Sequence, residues 1–173
     1  MLPHKEFNHK KAALPSNEDI LYARSIQGML APTEEELNDL FQNLAVYDKP
    51  LGFLSGDFLF ARKKKDLTFL AVCDCTGHGM SAALMTVLAR EKLSHAFDKS
   101  IGPAHLLTRL DEKFRRSILR GDKGRLMRAG AGMDLAVIAL NHDRRSLRFA
   151  GARRPLWIVR NGELLEYKGT PRS

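Results

Sequence analysis

Cysteine is nearly absent from this chain of 173 residues: Cys73 and Cys75 are the only two. They stand one residue apart, which excludes the disulfide framework of a small secreted domain. Also missing is any apolar run approaching the ~18 residues that a membrane span needs. The N-terminus, Met1 to Lys11, is polar and lacks the apolar centre of a signal peptide. A soluble, cytoplasmic chain is therefore expected. No internal repeat is found, nor any helix-turn-helix, zinc-finger or RNP pattern. What is present is ordinary for a globular protein: 44% hydrophobic and 28% charged residues exclude wholesale disorder. A chain of this length hides roughly two thirds of its unfolded surface. One domain, or one domain with a short appendage, is expected.

The formal charge of +8 is unevenly spread. Residues 1–60 hold five Lys or Arg against nine Asp or Glu, while residues 61–173 hold 23 against 11. A basic chain first suggests a polyanion as partner. Its basic residues are dispersed, however, over Arg62 to Lys65, Lys113 to Arg128 and Arg144 to Arg154. The aromatic residues near them, Phe58, Phe60, Phe69, Phe149 and Trp157, fall in strand-like runs that belong in a core. Neither nucleic acid nor membrane is expected as a partner.

Residues 1–16 read as a polar tail and 17–40 as a helical linker region. Ser16 or Asn17 suits a helix cap, with Glu18 and Asp19 in the first turn, where carboxylates favour the dipole. Ile20, Leu21, Ala23, Ile26, Met29 and Leu30 make one apolar face before Ala31-Pro32-Thr33 ends the helix. Glu34 to Leu40 reads as a polar connector or a short helical turn. Extended stretches are expected at Leu44 to Asp48 and Phe53 to Ala61, then a hairpin tip at Arg62 to Asp66. Leu67 to Cys73 is nearly continuous in apolar residues and reads as a central strand. Helices are expected at Ser81 to Phe97, which carries Ala82, Leu84, Met85, Leu88 and Leu93 and has few breakers, and from near Ser100, with Pro103 in the first turn. A Gly- and Arg-rich loop, Asp122 to Gly132, precedes strands at Asp134 to Leu140, Leu147 to Ala150, Leu156 to Arg160 and Glu163 to Tyr167. Asn161-Gly162 is a two-residue hairpin signal. The tight turns favour antiparallel pairing, so the fold class is α+β with helices layered on a sheet.

Two segments carry chemistry: Ser55-Gly56-Asp57 and Asp74-Cys75-Thr76-Gly77-His78-Gly79. Each puts a carboxylate at or near the end of an apolar strand, where a lone buried charge is costly and must meet solvent, a donor or a cation. Brought together on adjacent strands, Asp57 and Asp74 make a hard-oxygen site for Mg2+ or Mn2+. The glycines admit backbone groups close to an ion or phosphate. The competing reading is an Asp that caps the following turn and helix, with glycines serving only the turn. Cys75 resembles a zinc or redox ligand, yet a lone CxC is poor evidence for either.

The run from Ser55 to Leu84, SGD then DCTGHG then SAALM, closely resembles the PPM-type metal-dependent protein serine/threonine phosphatases in their bacterial SpoIIE-type branch. Ile26-Gln27 with Leu30-Ala31-Pro32 is similar to the helix that precedes those domains. Gly132-Met133-Asp134, Phe149-Ala150-Gly151-Ala152 and Pro155-Leu156 are similar to the later strands, so the resemblance spans Asp19 to Thr170. It implies a layered sandwich of antiparallel sheets flanked by helices, with residues 41–173 forming a partial phosphatase domain. By resemblance, Asp57 ligates one or both of two metal ions, Asp74 bridges them and the Cys75 carbonyl completes one shell. Gly56, Thr76, Gly77, His78 and Gly79 shape the loop near the phosphate. His78 is either a general acid or a turn histidine, and Asp134 either supports the site or only starts a strand. The implied reaction is attack of metal-activated water on phosphoserine or phosphothreonine. The implied substrate is a phosphorylated STAS-type anti-anti-sigma protein of a partner-switching pathway, and the N-terminal helix would serve as a regulatory, dimerising linker, although its apolar stripe equally fits a helix lying on its own core.

The sequence ends at Gly169-Thr170-Pro171-Arg172-Ser173, whereas family members continue into an Asp-Gly motif and a later aspartate that complete the metal site. Two expectations follow. One is a phosphatase whose remaining ligands lie beyond Ser173. The other is a catalytically inactive, C-terminally incomplete module that binds a regulatory protein.

Overall fold

The structure, a computed structural model, describes residues 15–120 and 132–171. The chain begins with α1 (Asn17–Met29) and α2 (Glu34–Leu40). Both start in capping boxes. Ser16 Oγ accepts from the Asp19 amide at 3.1 Å while Asp19 accepts from the Ser16 amide at 2.9 Å; Thr33 and Glu36 repeat the pattern at 3.1 and 2.8 Å. Two otherwise orphaned amides are thereby satisfied at each start. The serine hydroxyl and amide hold the Asp19 carboxyl below its usual value. Of the two readings of Glu34 to Leu40, the helical one holds, with a cap.

Four strands follow in the order β1 (Asp57–Lys64), β2 (Leu67–Cys75), β3 (Met133–Asn141) and β4 (Ser146–Ala152), all antiparallel. β2 lies between β1 and β3, as its apolar run predicts. A separate hairpin pairs β5 (Leu156–Arg160) with β6 (Glu163–Tyr167). Asn161 and Gly162 both have positive φ, the backbone that a two-residue hairpin turn demands. The α+β class and the antiparallel sheets flanked by helices therefore stand.

Two expectations are corrected, and the buried face of the third helix is defined. Leu44 to Asp48 is not a strand; Pro50 and Gly52 interrupt the region, which is held by the buried side chains of Phe41 and Leu54. The first strand starts at Asp57 and runs through the basic residues to Lys64, so the hairpin tip is only Lys65-Asp66, with Lys65 at φ 56°. On α3 (Gly79–Asp98) the buried face is mostly small: Ala82, Ala83, Thr86, Ala89 and Ala96, with Leu93 and Phe97, while Leu84 is exposed. Small side chains let this helix approach the sheet closely. The expected loop at Asp122 to Gly132 lies almost wholly outside the described residues.

Strand alternation sorts the sheet into two faces. Phe60, Phe69, Ala71, Cys73, Cys75, Met133, Leu135, Val137 and Ala139 point to α3 and α4 (Pro103–Arg120), whose Leu106, Leu110 and Phe114 recur every four residues. Phe97 packs edge-on against Phe60 and Phe69, with ring centroids 5.5 and 5.2 Å away. Asp57, Asp74 and Asp134 lie on the opposite face, in line with Val72 and Ile138.

Lys64 fastens β1 to the end of α3. Its Nζ donates to the carbonyls of Phe97, Asp98 and Ser100 at 3.1, 2.8 and 2.8 Å, where the helix dipole favours a cation. Lys64→Met keeps the apolar stem but strands these acceptors. It should lower unfolding stability by about 1–2 kcal/mol in urea titration; a change within error would mean that water replaces the ammonium at no cost.

Candidate metal and phosphoryl site

β1, β2 and β3 end together, and their register sets three carboxylates in a row: Asp57 opposes Asp74, and Asp74 opposes Asp134. One-residue slips would turn them toward the helices. The approach of β1 to β2 depends on Gly56. The Cys75 amide donates to the Gly56 carbonyl at 2.9 Å. A Cβ on Gly56 would lie 2.7 Å from the Cys75 carbonyl oxygen and 3.3 Å from Ala82 in the first turns of α3, so any side chain there forces backbone apart.

The DCTGHG loop turns from β2 into α3. Gly77 and Gly79 have φ of 106° and 64°, which L side chains seldom adopt. The Thr76 amide donates to the Gly132 carbonyl at 3.0 Å. His78 occupies the cap position of α3 and is exposed, without a side-chain cap bond; its carbonyl instead accepts from Ser81 Oγ at 3.2 Å. The helix thus presents its amide end beside the loop, a favourable place for an anion.

Gln27 on α1 reaches the same segment. Its Nε2 donates to the Ser55 carbonyl at 2.6 Å and to Thr86 Oγ1 at 3.1 Å, while its Oε1 accepts from the Ser55 amide at 3.1 Å. Ser55 Oγ then accepts from the Asp57 amide at 2.9 Å. No residue of α1 is buried, so the helix joins the site through this amide and not by burying its apolar stripe.

Burial raises the Asp57 carboxyl, and Asp74 raises it further by charge and by sharing a hydrogen bond. Two carboxylates facing one another call for a cation. The Cys75 thiol is pushed up to about 12, first by burial and then by Asp74 and Asp57; Cys73, more deeply buried, also rises well above its ordinary value. Both thiols are buried in the core on the helix-facing side of the sheet, away from the row of carboxylates, so at this site Cys75 offers its backbone carbonyl.

Two arginines complete the geometry. Arg154 Nη2 donates to Asp74 Oδ2, and its Nε lies 3.8 Å from Asp134 Oδ2. Arg153 Nε lies 3.8 Å from Asp134 Oδ1. They stand in the turn after β4, where Arg153 has φ 59°. This turn is fixed by backbone: Arg153 N donates to the Thr170 carbonyl and Thr170 N to the Gly151 carbonyl, both at 2.8 Å. A Cβ on Gly151 would sit 2.2 Å from the Arg154 carbonyl oxygen, and one on Gly169 would sit 2.7 Å from it.

The structure thus brings Asp57, Asp74 and the DCTGHG loop together. It adds Asp134, in ladder register with Asp74, and Arg153, Arg154 and Gln27, which spacing did not single out. The donor chemistry fits a hard dication: two carboxylates and a carbonyl, with a guanidinium already on one of them. Among the described residues, no three His, Cys, Asp or Glu side chains gather closely enough to hold a metal ion by themselves. No described helix is long and apolar enough to cross a membrane.

Comparison with known proteins bears on the family and the fold. Residues 64–171 match the family described as Stage II sporulation protein E (SpoIIE). Among solved structures, the chain is similar to the SiaA-PP2C domain of Pseudomonas aeruginosa, with 32% identity and a TM-score of 0.78 over 90% of this chain. It spans 61% of the length of that domain. A second structure, described under the bacterial stressosome, has 17% identity and a TM-score of 0.49 over 70% of this chain and 55% of its own. No curated protein matches.

The Asp57 environment has a measurable consequence. Burial and Asp74 make the folded chain hold this proton to higher pH than the unfolded chain, whose ordinary value is 3.8. The resulting stability is present below that value and is lost as pH rises through the folded one. With chelator present, Asp57→Asn should therefore raise the melting temperature at neutral pH, and the gain should vanish below the unfolded value. A gain that persists undiminished in acid would contradict the origin assigned to the shift.

Proposed function

The chain belongs to the SpoIIE family, and on that premise we propose that it is a metal-dependent protein serine/threonine phosphatase. The observation that carries this reading is the opposition of Asp57 and Asp74 at the ends of β1 and β2, beside the glycine turn that opens α3. Asp57, Asp74 and the Cys75 carbonyl would hold Mn2+ or Mg2+. A dication bound there supplies an acidified water and neutralises phosphoryl charge. The chain's own part is to position. Gly56 lets the two carboxylate-bearing strands close, and Gly77 and Gly79 turn the loop so that α3 directs its amide end toward the phosphoryl group. His78, exposed at the start of α3, is available to return a proton to the departing serine or threonine oxygen.

The proposed substrate is a phosphorylated STAS-type anti-anti-sigma protein in the cytoplasm. Support for a regulatory and dimerising α1 comes from the exposed Leu21, Ile26 and Met29, together with the Gln27 bonds to the segment before Asp57. A second reading, an inactive module that binds a regulatory partner, draws support from the absence of a three-ligand group among the described residues.

The test is Mn2+-dependent phosphate release from a phosphorylated STAS protein. Asp74→Asn should keep the fold by circular dichroism and reduce turnover by more than about a hundredfold, since it removes charge from a carboxylate that would hold the metal. Retained turnover in that variant refutes the metal assignment. Absence of turnover in the wild type, with intact binding of the partner, establishes the second reading instead.

A further inference from the structure

We propose that Arg154 is an internal counter-ion, holding the cation position on Asp74 until a dication displaces it. The inference rests on the metal reading of the site given above and concerns how that site is loaded.

The guanidinium lies where a metal would be wanted. Nη2 donates to Asp74 Oδ2, and Nε points across the row toward Asp134 Oδ2 at 3.8 Å. Arg153 faces the other oxygen of Asp134, also at 3.8 Å. The strand ends therefore carry three carboxylates opposed by two built-in positive charges. The first carboxylate, Asp57, opposes Asp74 in the ladder; among the described residues it has no ion pair with either arginine and feels Arg154 only as a more distant charge. A single guanidinium on Asp74 thus leaves the facing pair only half neutralised. A dication between Asp57 and Asp74 would neutralise both.

The turn is built so that the charge can leave without the backbone moving. Its main chain is pinned at Gly151, Gly169 and Thr170, as described above. The Arg154 side chain is about half exposed, at 47%, and so is its partner Asp74, at 41%. Exposed pairs of this kind contribute little, so exchange is feasible. Displacement moves no proton and breaks no covalent bond: one cation replaces another on a carboxylate, and the guanidinium swings into solvent. The arginine then weakens dication binding by competing for Asp74 and by repelling the incoming charge.

Titration calorimetry with Mn2+ at low ionic strength tests this on the wild type, Arg154→Met, Arg154→Gln and Arg154→Lys, with fold checked by circular dichroism. Arg154→Met and Arg154→Gln should bind Mn2+ about five- to tenfold more tightly than the wild type, with Arg154→Lys nearer to it. The gain should shrink as NaCl is added, because screening weakens both the pair and the repulsion. Equal or weaker binding by folded Arg154→Met and Arg154→Gln overturns the counter-ion. Asp74→Asn separates the two ideas: if the wild type binds Mn2+ and this variant does not, the metal site stands whatever Arg154 does. If no variant binds Mn2+, both fall.

Discussion

Everything at the candidate site depends on the ladder register of β1, β2 and β3. Side chains alternate faces along a strand, so one pairing decides two things together: which residues meet the helices and which meet the opposite face. With Asp57, Asp74 and Asp134 aligned, the core face receives Phe60, Phe69, Cys73, Leu135 and Val137. A slip by one residue would bury three carboxylates and expose the aromatic core. Hydrophobic burial of one face thereby enforces charge clustering on the other, and the repulsion within the cluster is tolerated because the packing behind it is not negotiable.

The same logic explains the glycines and alanines. Ladder register alone would leave the loop after Asp74 at an arbitrary distance from β1. Gly56 removes the one Cβ that would separate them, and Ala82 and Ala83 let α3 settle close to the sheet. Gln27 then ties α1 to the Ser55 backbone, so a helix with no buried residue still communicates with the strand that carries Asp57.

Periodicity and turn chemistry were legible where a local signal decides the outcome. The Leu67 to Cys73 run, the Asn161-Gly162 turn, the four-residue repeat of α4 and the SGD and DCTGHG segments all occur where the residues indicate. What was not legible depends on pairing between distant segments. Asp134 could be read either as support for the site or as a strand start until it is set opposite Asp74, 60 positions earlier. Arg153 and Arg154 read as scattered surface charge until the turn after β4 folds back over the row of aspartates. The residues of α3 did not say which of them face the sheet: the helix buries its alanines and leaves Leu84 exposed, since the closeness of a helix to a sheet is a property of both partners. The positive balance of the second part of the chain is likewise partly local: two of its arginines answer carboxylates at the strand ends.

Gly151 and Gly169 occupy one another's space, and the Arg154 carbonyl fills what remains. The position of the arginine turn is therefore set by the lack of two side chains, and its charge by two residues that barely touch the interior. These properties can vary independently over evolutionary time. Substitutions at 153 and 154 can retune the charge set against the aspartates while leaving the scaffold in place. A substitution at 151 or 169 displaces the whole turn, and no change at the other glycine, which has nothing left to remove, can compensate for it.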